Sequence, residues 1–271
     1  MNRNSLAESR AGRPAGRRFR EPAVLCLALL LLLVTARPAA AGSGAEAVLS
    51  WRSPAVEAEA RTPWLPADPE LAARLRRQAF AELAEFVADA ETELADLVTD
   101  ELASAGFPRL WDSRVEIVFS APCCLSLRRD LDVYSGGAHG NRTTRSIFWD
   151  RRGKRVVPLD ELLDLEAAKP ALDRALAEAL RRERERRGLP PGSDGVVFDR
   201  PRAGPGSVFT LVADFRPATA RGILFHFPPY ALGPYAEGGY ALFVPAARFL
   251  DHLRPRYRAL FATDRPQVPG R

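Results

Sequence analysis

The stretch YSGGAHG around His139 contains residue types that could support chemistry, because it holds one of only three histidines in the chain. With a carboxylate such as Asp132 or Asp150 in hydrogen-bond reach, His139 could act as a general acid or base. Alternatively, Gly136 and Gly137 supply the backbone freedom for a tight reversal, and the imidazole ties this turn to a neighbouring strand. We favour the structural turn, keep catalysis as the alternative and assign no catalytic residue.

The sequence contains no recognised metal, phosphate or nucleophile motif. The histidines His139, His226 and His252 fall in a predicted loop, strand and helix, and no H-E-x-x-H spacing is present. The glycine-rich stretches GSGAE and GPGS match neither phosphate-binding pattern, and G-x-S-x-G is missing. We therefore predict no metal site and no cofactor.

A second unusual stretch, FPPYALGPYAEGGY at residues 227–240, combines three tyrosines with three prolines and three glycines. Proline stiffens such a loop, and tyrosine offers a large contact area with a polar tip at low entropy cost. This composition predicts a binding surface formed by Tyr230, Tyr235, Tyr240 and Pro234, with His139 as a further candidate. The alternative is a strand connection whose tyrosines pack on a sheet edge.

The positive charge of the chain is concentrated near its N-terminus. Residues 1–41 contain seven Arg and two acidic residues, and removing them from totals of 39 basic and 34 acidic residues leaves 32 of each. A neutral remainder argues against nucleic acid as a partner. The N-terminal segment itself has arginines, then the apolar run AVLCLALLLLLVTA, then small residues. This order is typical of a signal peptide ending near Ala41, with an uncleaved anchor as the alternative. We expect a periplasmic or secreted protein that contacts membrane only through this segment if it is uncleaved.

The order of the predicted elements indicates an α+β fold with mainly antiparallel sheet, packed by a long N-terminal helix and two further helices. Apolar residues recur at helical spacing for about 30 residues after Asp68, a predicted N-cap, and Pro69 suits the first helical position. One opening strand precedes this helix. Strands joined near Pro122 follow it, then a hairpin around RRGK, a helix broken at Pro170, three short strands and a helix from Pro245.

Cys123 and Cys124 are adjacent. Neighbouring residues on a strand point to opposite faces, and a vicinal disulfide needs a strained ring, so we predict two thiols of which at least one is buried.

Three stretches together resemble a known bacterial family. They are YSGGAH at 134–139, GKRVVPLDELL at 153–163 and PYALGPYAEG at 229–238, in this order. The chain resembles the RsiV-like family, domain of unknown function 3298 (DUF3298), preceded by a PdaC-type domain, domain of unknown function 4163. The resemblance implies a PdaC-like α+β region at 46–150, an RsiV-like domain at 151–262 and a tail at 263–271.

The resemblance also implies a role at the cell envelope. One relative is the ectodomain of an anti-sigma factor that binds lysozyme, and another carries this region beside a polysaccharide deacetylase module. Neither the catalytic module nor a sigma-factor-binding domain is recognised here, so we expect a non-catalytic binding module with peptidoglycan or a lysozyme-like protein as partner. The alternatives are a cell-wall glycan hydrolase or deacetylase using His139 with a carboxylate, and a signal-anchored structural protein.

Overall fold

A computed structural model describes residues 35–37, 46–97, 106, 108–189 and 200–261. The predicted signal segment, apart from 35–37, and the predicted tail at 263–271 lie outside the described residues. Within the described part of the chain, no helix is both long and apolar enough to cross a membrane.

Among the described residues, seven strands form one sheet in which every strand lies beside its neighbour in the sequence. They are β1 (Thr35–Arg37), β2 (Glu46–Arg52), β3 (Val56–Pro63), β4 (Arg109–Ala121), β5 (Cys124–Tyr134), β6 (Asn141–Asp150) and β7 (Arg155–Val156). Of the pairs described, β3/β4 is parallel and the others are antiparallel. A parallel pair needs a crossover connection, and the long helix α1 (Pro69–Asp96) lies in that connection. The predicted α+β class is confirmed.

Helix α1 packs one stripe of small and branched apolar residues against the sheet, from Leu71 and Leu75 to Val87 and Ala90. Pro69 occupies the start of the helix as predicted. Asp68 occupies the predicted N-cap position, but its side chain makes no capping bond and instead pairs with Arg151 at 2.9–3.1 Å. The guanidinium group competes successfully because it binds a buried carboxylate with several charge-assisted hydrogen bonds.

The predicted single opening strand is two strands, β2 and β3. The chain reverses at Ser53 and Pro54, where the Ser53 backbone N–H donates to the Val56 carbonyl at 2.8 Å. The Ser53 hydroxyl accepts a hydrogen bond from the Val56 N–H at 3.1 Å. This side-chain turn explains the reversal within a continuous apolar pattern.

A second layer follows, with strands β8 (Val208–Ala213), β9 (Ala220–Phe227) and β10 (Tyr240–Pro245) in the antiparallel order β10-β9-β8. Its helices are α2 (Leu159–Leu162) and α3 (Leu165–Arg186). The break between them lies at Leu163 and Asp164, not at Pro170 as predicted, because Asp164 caps α3 and begins a new helix. Pro170 is tolerated in the second turn of α3, where its ring is exposed.

The predicted C-terminal helix from Pro245 is also wrong. The segment forms 3₁₀ turns at Ala246–Arg248 and Leu250–His252 and a short helix α4 (Pro255–Arg258). Its backbone is diverted by long-range hydrogen bonds, since Asp164 N–H donates to the His252 carbonyl at 2.7 Å and Arg254 N–H to Leu162 at 3.1 Å. These bonds replace the helical hydrogen bonds that the prediction assumed.

The outer strand β8 is joined to the large sheet through serine hydroxyls. The backbone N–H of Phe209 donates to the Ser146 hydroxyl at 2.8 Å, and that of Leu211 donates to the buried Ser126 hydroxyl at 3.0 Å. Phe148 on the same sheet face packs in the apolar core of the second layer. One end of this sheet face is thereby covered, while its other end forms the floor of an open cleft.

The adjacent cysteines lie at the turn between β4 and β5 with their sulfur atoms 3.9 Å apart. Both are free thiols, and Cys124 is fully buried. Burial raises the pKa of the Cys124 thiol well above its ordinary value, with the neighbouring Cys123 adding to the effect. The prediction of two thiols with one buried is confirmed.

Candidate functional site

The turn after β5 has the conformation that its glycines predict. Gly136 and Gly137 have φ angles of 92° and 98°, in the region that glycine adopts without strain. The Tyr134 hydroxyl donates to the Gly137 carbonyl at 3.0 Å and closes the turn. The turn thus presents His139 at an exposed position.

His139 lies against the second unusual stretch of the sequence. Its ring stacks on that of Tyr235, with centroids 4.1 Å apart and planes 22° apart. Its Nδ1 is 3.1 Å from the Gly140 carbonyl oxygen, and the Tyr235 hydroxyl donates to the same oxygen at 2.7 Å. Because a carbonyl oxygen only accepts, this geometry assigns the proton to Nδ1. The tyrosine-rich loop and the glycine turn are therefore in direct contact.

Tyr230 extends this contact to a row of three rings. Its ring centroid lies 5.4 Å from that of Tyr235, and the residue is 62% exposed. Its φ of 69° is the left-handed value required at the third position of a type II turn, here after Pro229. The turn directs the ring to solvent. We call His139, Tyr230 and Tyr235 the aromatic platform.

A buried ion pair supports the loop from below. The Arg184 guanidinium donates to both carboxylate oxygens of Glu237 at 3.1 Å, and the Tyr240 hydroxyl donates to the same carboxylate. Arg187 donates to the carbonyls of Glu237 and Gly239 at 2.7 and 3.0 Å and lies 4.3 Å from the Tyr240 ring centroid. This network fixes residues 237–239 to helix α3.

Tyr240 therefore has a different role from the predicted one. It is 2% exposed, so its ring belongs to the core and supports the loop rather than contributing to a surface. Burial, and then its hydrogen bond to Glu237, raises the pKa of Tyr240 to about 12. Pro234, by contrast, is exposed beside Tyr235.

The charged end of α3, RRERERR at residues 181–187, is only partly a solvated helix face. Arg184 is buried and Arg187 half-buried, although Arg186 and Glu185 are exposed. The sequence contained a pattern that indicates the burial of Arg184 and Arg187. The buried stripe of the helix continues at helical spacing through positions 172, 176, 180, 184 and 187.

A cleft of about 630 Å³ opens beside the aromatic platform. Tyr235 and residues 236–239 form one wall, and Leu110 and Tyr134 of the large sheet lie opposite. A second cleft, of about 530 Å³, continues from it and shares Asp112, Asp132 and Arg142. We call these the platform cleft and the ladder cleft.

Charged side chains of both signs form the floor of the ladder cleft. Their signs alternate along β4. Across the two strands Arg114 faces Asp130 and Glu116 faces Arg128, whereas Asp112 faces Asp132. We call the eight residues the charge ladder: Arg61, Asp112, Arg114, Glu116, Arg128, Asp130, Asp132 and Arg142. Four arginines and four carboxylates give the ladder no net charge.

Ion pairs connect the members of the ladder. Arg142 binds Asp132 through two hydrogen bonds of 2.6 and 3.0 Å, and this carboxylate raises the pKa of Arg142. Arg128 bridges Glu116 at 3.0 Å and Asp130 at 2.8 Å. The pairs are partly exposed to solvent, so each is a weak interaction that a ligand could exchange at low cost.

The hydrogen bonds of the described residues do not join His139 to either proposed carboxylate. Asp132 is paired with Arg142, as above. Asp150 accepts from the backbone N–H groups of Arg152 and Gly153 at 2.9 and 3.1 Å and from the Tyr257 hydroxyl at 3.2 Å. Its carboxylate thus stabilises the turn before β7.

Among the described residues, neither of the other histidines, His226 and His252, belongs to a group of possible metal ligands. His226 on β9 faces the ladder cleft and its Nε2 lies 2.9 Å from the Thr210 hydroxyl. Burial, with a smaller effect from Arg128, lowers the pKa of His226 to about 4. Across the described ranges, no three His, Cys, Asp or Glu side chains are grouped so that they could hold a metal ion.

Solved structures that resemble this one include two from bacteria. One is a DUF3298 family protein from Pseudomonas aeruginosa PAO1, with a TM-score of 0.54 and 16% identity over 81% of this chain and 95% of that chain. The other is a member of the same family from Bacteroides fragilis NCTC 9343, with a TM-score of 0.51 and 15% identity over 79% and 96%. The chain shares the fold of these DUF3298 proteins. No protein-family model matches the sequence, and no curated protein matches it.

The shared DUF3298 fold supports the corresponding part of the resemblance seen in the sequence. Two of the three stretches that suggested it, 134–139 and 229–238, form the aromatic platform and its loop. The sequence could not show that these two stretches meet, because the residues in contact, Gly140 and Tyr235, are 95 positions apart in the chain.

Proposed function

We propose that this protein is an exported, non-catalytic binding module of the cell envelope, belonging to the RsiV-like family with a PdaC-type region at 46–150. Its ligand is an envelope polymer or protein. The observation that carries the proposal is the aromatic platform at the edge of a cleft of about 630 Å³. It is a row of three rings, in which those of His139 and Tyr230 are exposed and that of Tyr235 is half-buried.

The chemistry of the platform fits a glycan best. Exposed aromatic faces pack against the apolar faces of sugar rings, and adjacent carboxylates and guanidinium groups can bind sugar hydroxyls. The platform is also rigid, since Tyr235 is tied to Gly140 and the loop is held by Arg184 and Arg187. A rigid aromatic surface loses little entropy when a ligand binds.

The test is a sedimentation assay in which the purified protein is mixed with insoluble peptidoglycan, and with immobilised lysozyme in a parallel experiment. We expect the wild type and the Tyr230→Phe control to sediment with peptidoglycan. The Tyr230→Ala/Tyr235→Ala variant should remain in the supernatant. Circular dichroism checks that this variant is folded. Retention of the folded double variant at the wild-type level refutes the platform as the site. Capture by lysozyme alone identifies a protein ligand instead of a glycan.

A further inference from the structure

The two clefts form one groove that runs along the strands. The platform cleft begins at Leu110 and Tyr134, and the ladder cleft ends at Glu116 and Arg128, on the same pair of strands. Six residue steps along β4 lead from 110 to 116, which corresponds to about 20 Å at the usual rise per residue.

The chemistry of the groove changes along its length. Its first half has the ring of Tyr235 in its wall, with the rest of the aromatic platform behind it. Its second half has the charge ladder, which carries both signs and no net charge, as its floor. A uniformly charged polymer would meet like charges at half of the ladder, whereas a ligand with both signs finds partners for each.

We infer that the groove binds a glycan carrying a short peptide with charges of both signs, with a sugar ring on the aromatic platform and the peptide along the charge ladder. This inference rests on the proposed function and names the ligand class of the same site. About three extended residues span the ladder half of the groove.

Isothermal titration calorimetry with three soluble probes tests the inference: the peptidoglycan disaccharide with its tetrapeptide, the neutral N-acetylglucosamine dimer, and the free tetrapeptide. We expect the disaccharide–tetrapeptide to bind about tenfold more tightly than the neutral dimer, because it adds charge-assisted hydrogen bonds to the ladder. The free tetrapeptide should bind more weakly than the conjugate.

Arg114→Gln separates the two halves of the groove. The Arg114 side chain is partly exposed and borders only the ladder cleft. Its loss should weaken the disaccharide–tetrapeptide about threefold to tenfold and leave the neutral dimer unchanged. Arg181→Gln, on the exposed face of α3, is the matched control and should change neither affinity.

The outcomes distinguish this inference from the proposed function. Equal affinity for the conjugate and the neutral dimer overturns the inference and leaves the glycan platform intact. Binding of the free tetrapeptide as tight as that of the conjugate overturns it in favour of a peptide ligand. Binding of none of the probes, with peptidoglycan also failing to retain the protein, overturns both.

Discussion

Removal of the Arg184 guanidinium should destabilise the protein far more than removal of a typical surface arginine. The side chains of Arg184 and Glu237 are only 9% and 10% exposed, and two hydrogen bonds of 3.1 Å join them. Arg184→Met leaves the Glu237 carboxylate buried without its cation. Breaking a buried pair in this way costs about 3–5 kcal/mol.

The assay is reversible unfolding in urea, with thermal unfolding as a second measurement. A loss of about 3 kcal/mol corresponds to a decrease in Tm of about 6–12 °C for a domain of this size. The control is Arg181→Met on the same helix, where the partner Glu185 is exposed and the expected cost is below about 1 kcal/mol.

A double-mutant cycle assigns the effect to the pair. Glu237→Gln removes the charge but keeps an acceptor for Tyr240, and Arg184→Met/Glu237→Gln should cost less than the sum of the single variants. If Arg184→Met loses no more stability than Arg181→Met, the buried pair does not hold the loop and the reasoning is wrong.

Three further predictions concern the histidine, the thiols and the N-terminus. Because the folded pKa of His226 is lowered from 6.5 to about 4, stability is fully present above pH 6.5 and declines as the pH falls towards 4, where the unfolded chain binds the proton first. Urea midpoints measured across this pH range should therefore vary less with pH in His226→Gln than in the wild type. An equal pH dependence of the midpoint in the two proteins would contradict the prediction. In native protein an aromatic disulfide reagent should react with Cys123 and should reach the buried Cys124 only after denaturation, so rapid reaction of both would show that Cys124 is accessible. N-terminal sequencing of protein recovered from an exporting bacterium should begin near Gly42, whereas an intact Met1 terminus would indicate an uncleaved anchor.

Local patterns were sufficient to predict the elements whose residues determine their own conformation. Strand-like apolar segments predicted β4 to β6, and the glycines of the turn predicted its positive φ angles. The predictions failed where a distant partner decided the conformation. Asp68 binds Arg151 instead of capping α1, and the C-terminal segment bonds to residues 162 and 164 instead of forming a helix.

The candidate site was predicted in its parts but not as an assembly. Tyr230, Tyr235 and His139 stood out by residue type, yet only the folded chain brings His139 to the tyrosines. The charge ladder was missed although D-x-R-x-E at 112–116 and R-x-D-x-D at 128–132 have the spacing of one strand face. Without the register of β4 and β5, that spacing does not show which charges face each other.

The serine contacts of β8 have a consequence for any attempt to separate the two layers. The outer edge of a sheet presents unpaired N–H groups that can recruit a strand from another chain. In this protein two of those N–H groups, on Phe209 and Leu211, are capped by Ser146 and Ser126 of the large sheet. A fragment beginning after Asp150 would lose both serines and uncover this edge together with its buried phenylalanine. In the intact protein the large sheet occupies this edge, and it thereby opposes the pairing of β8 with a strand of another chain.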